Sequence, residues 1–223
     1  MNRKAVVAGA TGLVGKELVR LLLNDPDYTD ITLIVRRSTG IVHAKLHEKV
    51  IDFEQLENTN VNLTGTDVFC TLGTTIKKAG TKEAFRLVDY HYPLTIGKMA
   101  KAQGAKQFLI VTSMGANPLS RTFYIRVKGE LEESLRELCL PALHIFRPSL
   151  LLGNREEFRL GERIMSSVSG ILSPIFSGPL RKYSPVQAKS VANAMLLAAK
   201  REQSGVYVNE SDQIVTVSER SGI

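Results

Sequence analysis

The chain has no tryptophan, only two cysteines and no long apolar run. Cys70 and Cys139 lack the spacing of metal ligands, which favours buried free thiols in a reducing compartment. No apolar run reaches the roughly eighteen residues of a membrane span. Glycines interrupt the apolar start, and no small-residue cleavage site precedes Lys16 and Glu17, which disfavours a signal peptide. These absences together predict a cytoplasmic protein.

The sequence also lacks the patterns of several functional classes. The net charge is +7, but its lysines and arginines form no basic block with interleaved aromatics, which disfavours nucleic-acid binding. A ligand that carries phosphate explains part of this positive charge. The four histidines show no metal-site spacing, and His144 lies in an apolar run typical of the core. Ser113 lies outside any nucleophile-elbow motif, which disfavours a serine hydrolase.

Apolar runs rich in β-branched residues recur along the chain and are typical of strands buried on both faces of a parallel sheet. They are residues 5–8, 31–35, 68–70, 108–112, 142–146 and 206–208, with a shorter candidate at 49–51. Helical patterns at 12–23, 82–103, 123–138 and 188–200 lie between most of them. The alternation predicts one α/β domain over residues 1–223, with a Rossmann-type doubly wound parallel sheet.

Some segments depart from this alternation. Residues 153–185 are rich in Gly, Ser and Pro, with one helical stretch, and predict a small cap at the carboxyl edge of the sheet. Pro93 should break or kink the 82–103 helix. Residues 218–223 are expected to fray. The acidic positions of the 123–138 helix, which are Glu130, Glu132, Glu133 and Glu137, predict a solvated face or a dimer edge.

A glycine motif follows the first predicted strand directly and opens a helix. It reads Gly9-Ala10-Thr11-Gly12-Leu13-Val14-Gly15. Glycines permit a tight turn and let the backbone approach a pyrophosphate, while the helix N-terminus presents unpaired N–H groups and a partial positive charge. We interpret residues 9 to 15 as the phosphate-binding turn of a dinucleotide site. A strand–helix turn without a ligand is the alternative.

The end of the second predicted strand discriminates between the two nicotinamide dinucleotides. NAD-binding proteins usually carry Asp or Glu about 20 residues after the glycines, where it holds the ribose 2′-hydroxyl. This chain has Arg36 and Arg37 there, and a guanidinium suits a 2′-phosphate in charge and donor geometry. The sequence therefore predicts NADP in preference to NAD, although one or both arginines could simply end a strand in water.

A serine and a Tyr–Lys pair follow the predicted strand at 108–112. Ser113 closes this strand, and Tyr124 and Lys128 stand at positions i and i+4, which lie on one helix face about one turn apart. A neighbouring cation favours a phenolate, so such a tyrosine can exchange a proton with a carbonyl or alcohol oxygen. The pattern predicts Tyr124 and Lys128 as a catalytic pair, with Ser113 orienting the substrate. A surface pair is the alternative.

Taken together, these motifs resemble the atypical short-chain dehydrogenases/reductases, and within them the Tat-interacting oxidoreductase-like group. The resemblance covers most of the chain, and it extends to residues 33–37, 50–54, 70–75, 78–80, 88–89, 124–130 and 146–153. It implies a serine–tyrosine–lysine site at Ser113, Tyr124 and Lys128. It also implies further cofactor contacts: Asp52 and Phe53 at the adenine, Leu72, Gly73 and Thr74 beneath the dinucleotide, and Pro148 at the nicotinamide end. From the Tyr–Lys pattern itself, Lys128 is also a candidate to hydrogen-bond the nicotinamide ribose. Many members of the superfamily have Asn where this chain has Asp89, which puts a complete proton relay in doubt.

The expected function is an NADP-dependent oxidoreductase that transfers hydride to or from a small carbonyl or alcohol. A non-catalytic NADPH-binding regulatory, sensor or assembly protein is the first alternative. A sugar-nucleotide epimerase or dehydratase is weaker, because such enzymes usually have a larger substrate domain. The expected partner is an unidentified small-molecule substrate, with no nucleic acid and no membrane, and the chain is expected to be a monomer or homodimer.

Overall fold

A seven-stranded parallel sheet forms the centre of the computed structural model, which describes residues 2–153 and 184–220. Its strands are β1 (Arg3–Ala8), β2 (Tyr28–Val35), β3 (Leu46–Val50), β4 (Asp67–Cys70), β5 (Gln107–Val111), β6 (Ala142–Arg147) and β9 (Gly205–Glu210). A separate parallel pair consists of β7 (Leu151–Leu152) and β8 (Val186–Gln187). The spatial order of the main sheet is β3-β2-β1-β4-β5-β6-β9, which is the Rossmann order with an additional edge strand.

Helices connect most of these strands and lie on both faces of the sheet. They are α1 (Leu13–Asn24), α2 (Ile76–Ala79), α3 (Lys82–Arg86), α4 (Tyr92–Ala102), α5 (Phe123–Glu137), α6 (Ala188–Arg201) and α7 (Ser211–Arg220). A 3₁₀ helix spans Phe53–Asn58, and a π-helical turn spans Leu87–His91. The predicted doubly wound α/β fold is confirmed.

The core has two parts because successive strand residues point to opposite faces of the sheet. Val7 packs with Leu18 of α1 and Val191 of α6 on one face. Val6 packs on the other face with Ile96 of α4 and Leu131 of α5. Strands β1, β4 and β5 are therefore apolar on both faces after their first one or two residues, which is why their sequences show a continuous apolar run rather than an alternation.

The predicted break or kink at Pro93 takes the form of a π-helical turn. Helical backbone continues from α3 through Leu87–His91 into α4, and the Tyr92 N–H bonds to the Leu87 carbonyl just before Pro93. Because proline has no N–H to donate, a change of the helical bonding beside it is expected. One prediction about a helix end needs correction. Residues 218–220 are not frayed, because they belong to α7 and Ser218 is buried. Residues 154–183, which include most of the predicted cap and its helical stretch, lie outside the described residues.

Candidate functional site

A cleft of about 600 Å³ opens at the carboxyl ends of β1, β4, β5 and β6. After β3 the chain crosses over to β4, on the other side of β1, and such a switch point is where open α/β sheets bind ligands. Ten of the residues singled out from the sequence line this cleft: Gly12, Leu13, Val14, Leu72, Gly73, Thr74, Ser113, Tyr124, Lys128 and Pro148. Segments that are far apart in the chain therefore meet at one site.

The three motif glycines have different reasons to lack a side chain. Gly9 has a φ of +89°, and a Cβ there would lie 2.6 Å from the Thr71 carbonyl carbon. A Cβ on Gly15 would lie 2.1 Å from the Gly9 oxygen. Gly12 is different, because its Cβ would meet no protein atom closer than 3.4 Å. Gly9 and Gly15 are thus required by the turn itself, whereas the space at Gly12 is open to the cleft.

The N-terminus of α1 faces the same space. Gly12 is its N-cap and supplies no side-chain hydrogen bond, and the first turn contains no acidic residue. Leu13 and Val14 of this turn line the cleft, while the preceding Thr11 is exposed. Uncapped N–H groups and the helix dipole favour an anion at such a position. The turn therefore fits the pyrophosphate of a dinucleotide.

The residues predicted for the adenine end lie at the same sheet edge but outside the lining of this cleft. Arg36 and Arg37 are exposed after β2 and form no ion pair with the described residues. Asp52 accepts the Glu54 N–H at 3.0 Å and caps the 3₁₀ helix. Phe53 is buried. The structure thus leaves both guanidinium groups available for a phosphate, but it does not bring these residues into the cleft.

Tyr92 lies beside Phe53, which was predicted for the adenine end, and the sequence analysis missed it. Its ring stacks on Phe53 with a centroid distance of 5.4 Å. Burial raises the pKa of Tyr92, the charges of Glu54 and Asp52 raise it further, and Arg36 lowers it, which places the Arg36 charge near this ring. Stacking between two aromatic residues far apart in the chain leaves no periodic signal in the sequence.

Ser113 is held between two hydrogen bonds that continue the β5–β6 pairing beyond the end of β5. The Thr112 N–H donates to the Phe146 carbonyl at 2.8 Å, and the Met114 N–H donates to the Pro148 carbonyl at 2.9 Å. The Ser113 hydroxyl is buried and has no hydrogen-bond partner among the described residues. Because a buried hydroxyl without a partner is costly, this group is suited to a ligand oxygen in the cleft.

Tyr124 and Lys128 project from α5 into the cleft. The Tyr124 ring packs on the buried Phe85 ring at 5.6 Å. The Lys128 Nζ lies 2.8 Å from the Asp89 Oδ1, and the two side chains are only 4% and 1% exposed. The other carboxylate oxygen of Asp89 accepts the Thr74 N–H at 2.9 Å. Asp89 therefore positions the lysine against the loop that follows β4.

The ion pair sets the charge state of the lysine. Burial alone would lower the pKa of Lys128, but Asp89 and then Tyr124 oppose this effect, and the pKa is raised above its ordinary value. The neighbouring Cys70 thiol is neutral because burial raises its pKa to about 12. Lys128 is consequently a fixed ammonium group at neutral pH. The sequence analysis noted Asp89 only as a departure from Asn, and its contact with Lys128 was not foreseen.

Gly73 lies next to this ion pair, and all three residues line the cleft. A Cβ at Gly73 would lie 3.6 Å from the Asp89 Oδ1 and 3.9 Å from the Lys128 Nζ. A larger side chain would separate the pair from the cleft. The absence of a side chain fits the role inferred for residues 72–74, which is to pass beneath a cofactor.

The predicted solvated face of α5 is wrong at Glu132, which is buried. Its carboxylate accepts the Thr112 hydroxyl at 2.7 Å and two bonds from the Arg147 guanidinium, at 3.0 and 2.6 Å. Arg147 also pairs with Glu210 of β9 at 2.9 Å. One carboxylate thus ties together the elements that carry Ser113, Lys128 and Pro148.

The two cysteines differ in burial. Cys70 is buried as expected, but the expectation is wrong for Cys139, which is exposed after the C-terminus of α5. No group of three potential metal ligands occurs within residues 2–153 and 184–220. In the same ranges, no helix has the length and apolar character needed to cross a membrane.

Comparison with known proteins shows a family. The HIM1 profile matches residues 40–177. Protein HTATIP2 of Rattus norvegicus is 38% identical over 175 residues, which are 77% of this chain and 72% of that protein. The mitochondrial protein FMP52 of Candida albicans is 31% identical over 217 residues, which are 95% of this chain and 93% of that protein.

Solved structures resemble the fold. MoeE5 in complex with UDP-glucose and NAD has a TM-score of 0.66 at 14% identity, covering 98% of this chain and 82% of its own. The Bordetella bronchiseptica enzyme WbmH in complex with NAD⁺ has a TM-score of 0.67 at 19% identity, covering 94% of this chain and 76% of its own. These likenesses show a Rossmann-type fold of the kind found in NAD-binding enzymes.

The comparisons correct one expectation and confirm another. The predicted cytoplasmic location is contradicted, because several relatives, including those of Candida albicans and Coccidioides immitis, are named as mitochondrial. The resemblance to the Tat-interacting oxidoreductase-like group is confirmed by the rat relative. With a profile that spans more than half of its residues and a relative at 38% identity, the chain belongs to the HIM1 family.

Proposed function

We propose that this protein is an NADP-dependent oxidoreductase of the short-chain dehydrogenase/reductase type, acting on a small carbonyl or alcohol. The observation that carries the proposal is the buried Ser113 hydroxyl, which has no partner among the described residues and opens on the same cleft as Tyr124 and Lys128. The glycine turn, which borders the same cleft through Gly12, supports a dinucleotide as its second occupant.

Each side chain has a distinct task in this mechanism. When bound, the nicotinamide cofactor supplies or accepts the hydride. The Ser113 hydroxyl donates a hydrogen bond to the substrate oxygen and orients the carbonyl. The Tyr124 hydroxyl gives its proton to that oxygen during reduction and takes one back during oxidation. Lys128, held charged by Asp89, favours the phenolate of Tyr124 in between and donates to ribose hydroxyls.

The mechanism predicts a selective effect at Tyr124. In a screen of small aldehydes, ketones and alcohols, Tyr124→Phe should lower kcat by about 10²-fold to 10⁴-fold. The NADPH dissociation constant should stay unchanged, since the ring and its contact with Phe85 remain. Phe123→Leu in the same helix is the matched control and should retain turnover. Full turnover by Tyr124→Phe would exclude this mechanism.

Cofactor preference rests on the two arginines after β2. Fluorescence titration should show NADPH binding at least about tenfold more tightly than NADH, a difference of about 1.4 kcal/mol. Arg36→Ala or Arg37→Ala should abolish the preference by removing the partner of the 2′-phosphate. Arg121→Ala, at another exposed arginine, should leave it intact. Equal affinity for both nucleotides in the unaltered protein would refute the NADP assignment.

A non-catalytic NADPH-binding regulatory protein is the second candidate. The Asp89–Lys128 ion pair supports it, because the carboxylate partly offsets the effect of the Lys128 charge on Tyr124. Tight NADPH binding without turnover of any carbonyl in the screen would select this candidate. A sugar-nucleotide epimerase is weaker, although MoeE5 is solved with UDP-glucose. The mitochondrial names of relatives favour a mitochondrial location, which cell fractionation would test.

A further inference from the structure

A lysine outside the serine–tyrosine–lysine group also lines the cleft. Lys78 belongs to the short helix α2, and its side chain borders the same space as Ser113 and Tyr124. Its backbone N–H donates to the Thr75 hydroxyl at 3.1 Å, which fixes where its side chain begins. Lys78 and the preceding Lys77 are both exposed, but only Lys78 is part of the cleft lining. The two adjacent lysines therefore differ in the surface that they face.

The described lining of the cleft carries two lysines and one aspartate. Among the described lining residues, only Lys78, Asp89 and Lys128 are charged. Asp89 is already engaged, with one oxygen 2.8 Å from the Lys128 ammonium and the other accepting the Thr74 N–H. Lys78 has no ion-pair or hydrogen-bond partner for its ammonium group within the part of the chain that the structure describes. The described walls thus carry one uncompensated positive charge.

An uncompensated cation in a concave site attracts and orients anionic ligands. The phosphates of a dinucleotide have their own place at the N-terminus of α1, where Gly12 leaves room and the first turn is uncapped. Lys78 follows β4 instead, on the segment that borders the ion pair and the catalytic hydroxyls. With the dinucleotide phosphates assigned to α1, an anionic group on the substrate is the remaining candidate to pair with Lys78.

We propose that Lys78 is a substrate-binding residue that receives a carboxylate or phosphate group, so that the substrate is an anionic carbonyl compound or alcohol. This inference rests on the proposed oxidoreductase function, whose substrate it narrows. It predicts that, of two ligands with the same reacting alcohol, the protein binds the one with an added negative charge more tightly.

Two matched probes make the test direct. Benzyl alcohol and 4-(hydroxymethyl)benzoate differ by one carboxylate, and neither forms a Schiff base with lysine. Ligand-observed NMR titrations should give their dissociation constants with and without saturating NADP⁺. The unaltered protein should bind the carboxylate about fivefold to tenfold more tightly at low salt, and high salt should reduce this preference. Lys78→Gln should abolish it, Lys78→Arg should keep it, and Lys77→Gln should leave it unchanged.

Three results would overturn the inference. The first is that the unaltered protein does not prefer the carboxylate probe to benzyl alcohol. The second is that Lys78→Gln keeps the same preference for the carboxylate probe. The third is that Lys78→Gln binds NADPH more weakly but still prefers the carboxylate probe. The last result would assign the lysine to the cofactor phosphates. NADPH titrations of the same samples keep the proposals separate. If NADPH does not bind but Lys78 still controls the carboxylate preference, the oxidoreductase proposal fails and the anion site stands.

Discussion

Asp89 and Lys128 form an ion pair of 2.8 Å at the base of the cleft, and both side chains are almost completely buried. Removing one partner of such a pair leaves an uncompensated buried charge, which is strongly unfavourable. The pair is bound to the β4–α2 loop through the Thr74 N–H. It therefore links the helix that carries Tyr124 to the backbone expected beneath the cofactor.

Replacing Asp89 by Asn should change the pH dependence of the site. Asp89 raises the pKa of Lys128 against the effect of burial, so its neutral replacement should lower that pKa. Deprotonation of Lys128 at high pH should weaken NADPH binding in both proteins. In Asp89→Asn this fall in NADPH affinity should begin at a lower pH than in the unaltered protein. NADPH titrations from about pH 6 to about pH 10, which approach the ordinary lysine pKa, measure this shift.

Glu57→Gln, at an exposed position, is the control. Identical pH profiles for the unaltered protein and Asp89→Asn would contradict the coupling between Asp89 and Lys128.

The two glycines at the start of α1 should respond in opposite ways to alanine. Gly15→Ala places a Cβ 2.1 Å from the Gly9 oxygen, and such overpacking should reduce the free energy of unfolding by about 1–3 kcal/mol or more. Gly12→Ala has room in the protein itself, so stability should change by less than about 0.5 kcal/mol. The same Cβ occupies space expected for the pyrophosphate, and NADPH affinity should fall at least about tenfold.

Urea denaturation and NADPH titration of both glycine variants test this contrast. Gly12→Ala with normal stability and normal NADPH affinity would show that no ligand approaches that backbone. Gly15→Ala with unaltered stability would show that the turn tolerates a shift of its carbonyl.

Glu132 should be far more important for stability than its neighbour Glu133. Glu132→Ala leaves the Arg147 guanidinium and the Thr112 hydroxyl without their shared acceptor, which should reduce the free energy of unfolding by about 3–5 kcal/mol. Glu133 is exposed, and Glu133→Ala should cost less than about 0.5 kcal/mol. Urea denaturation of both variants measures the difference. Similar losses for the two would refute the structural role of the buried carboxylate.

His144 should make the protein less stable in mild acid. It is 2% exposed, stacks on Tyr207 at 5.0 Å, and has no partner for its Nε2 among the described residues. Burial, with the charge of Arg201, lowers the pKa of His144. Protonation of His144 is therefore more favourable in the unfolded chain than in the folded protein. The neutral imidazole contributes to the free energy of unfolding above about pH 6.5, and this contribution is lost as the pH falls through the pKa that His144 has in the folded protein.

The free energy of unfolding at pH 7.5 and at pH 5.5 tests this prediction, since the ordinary histidine pKa of about 6.5 lies between them. The loss between the two pH values should be smaller in His144→Asn than in the unaltered protein. His43→Asn, at an exposed histidine, should keep the full loss. An equal loss in all three proteins would assign the acid sensitivity to other groups.

The sequence by itself determined the features that depend on local order. Apolar runs separated by helical periods predicted the parallel sheet, because burial on both faces requires continuous apolar strands. The glycine spacing predicted the turn before α1, and the i, i+4 spacing predicted that Tyr124 and Lys128 share a face of α5. The confirmed fold and family, and the grouping of ten predicted residues in one cleft, follow from these patterns.

Only the tertiary structure decided which polar groups meet across elements. Glu132 is buried although it lies among exposed acidic residues, because Arg147 of β6 and Thr112 at the end of β5 reach it. Asp89 is the partner of Lys128 because the π-helical turn packs against α5. Helical periodicity shows on which face of its helix a residue lies. It does not show which residue of another helix or strand contacts that face. The charge balance of the cleft was therefore fixed by packing between distant segments.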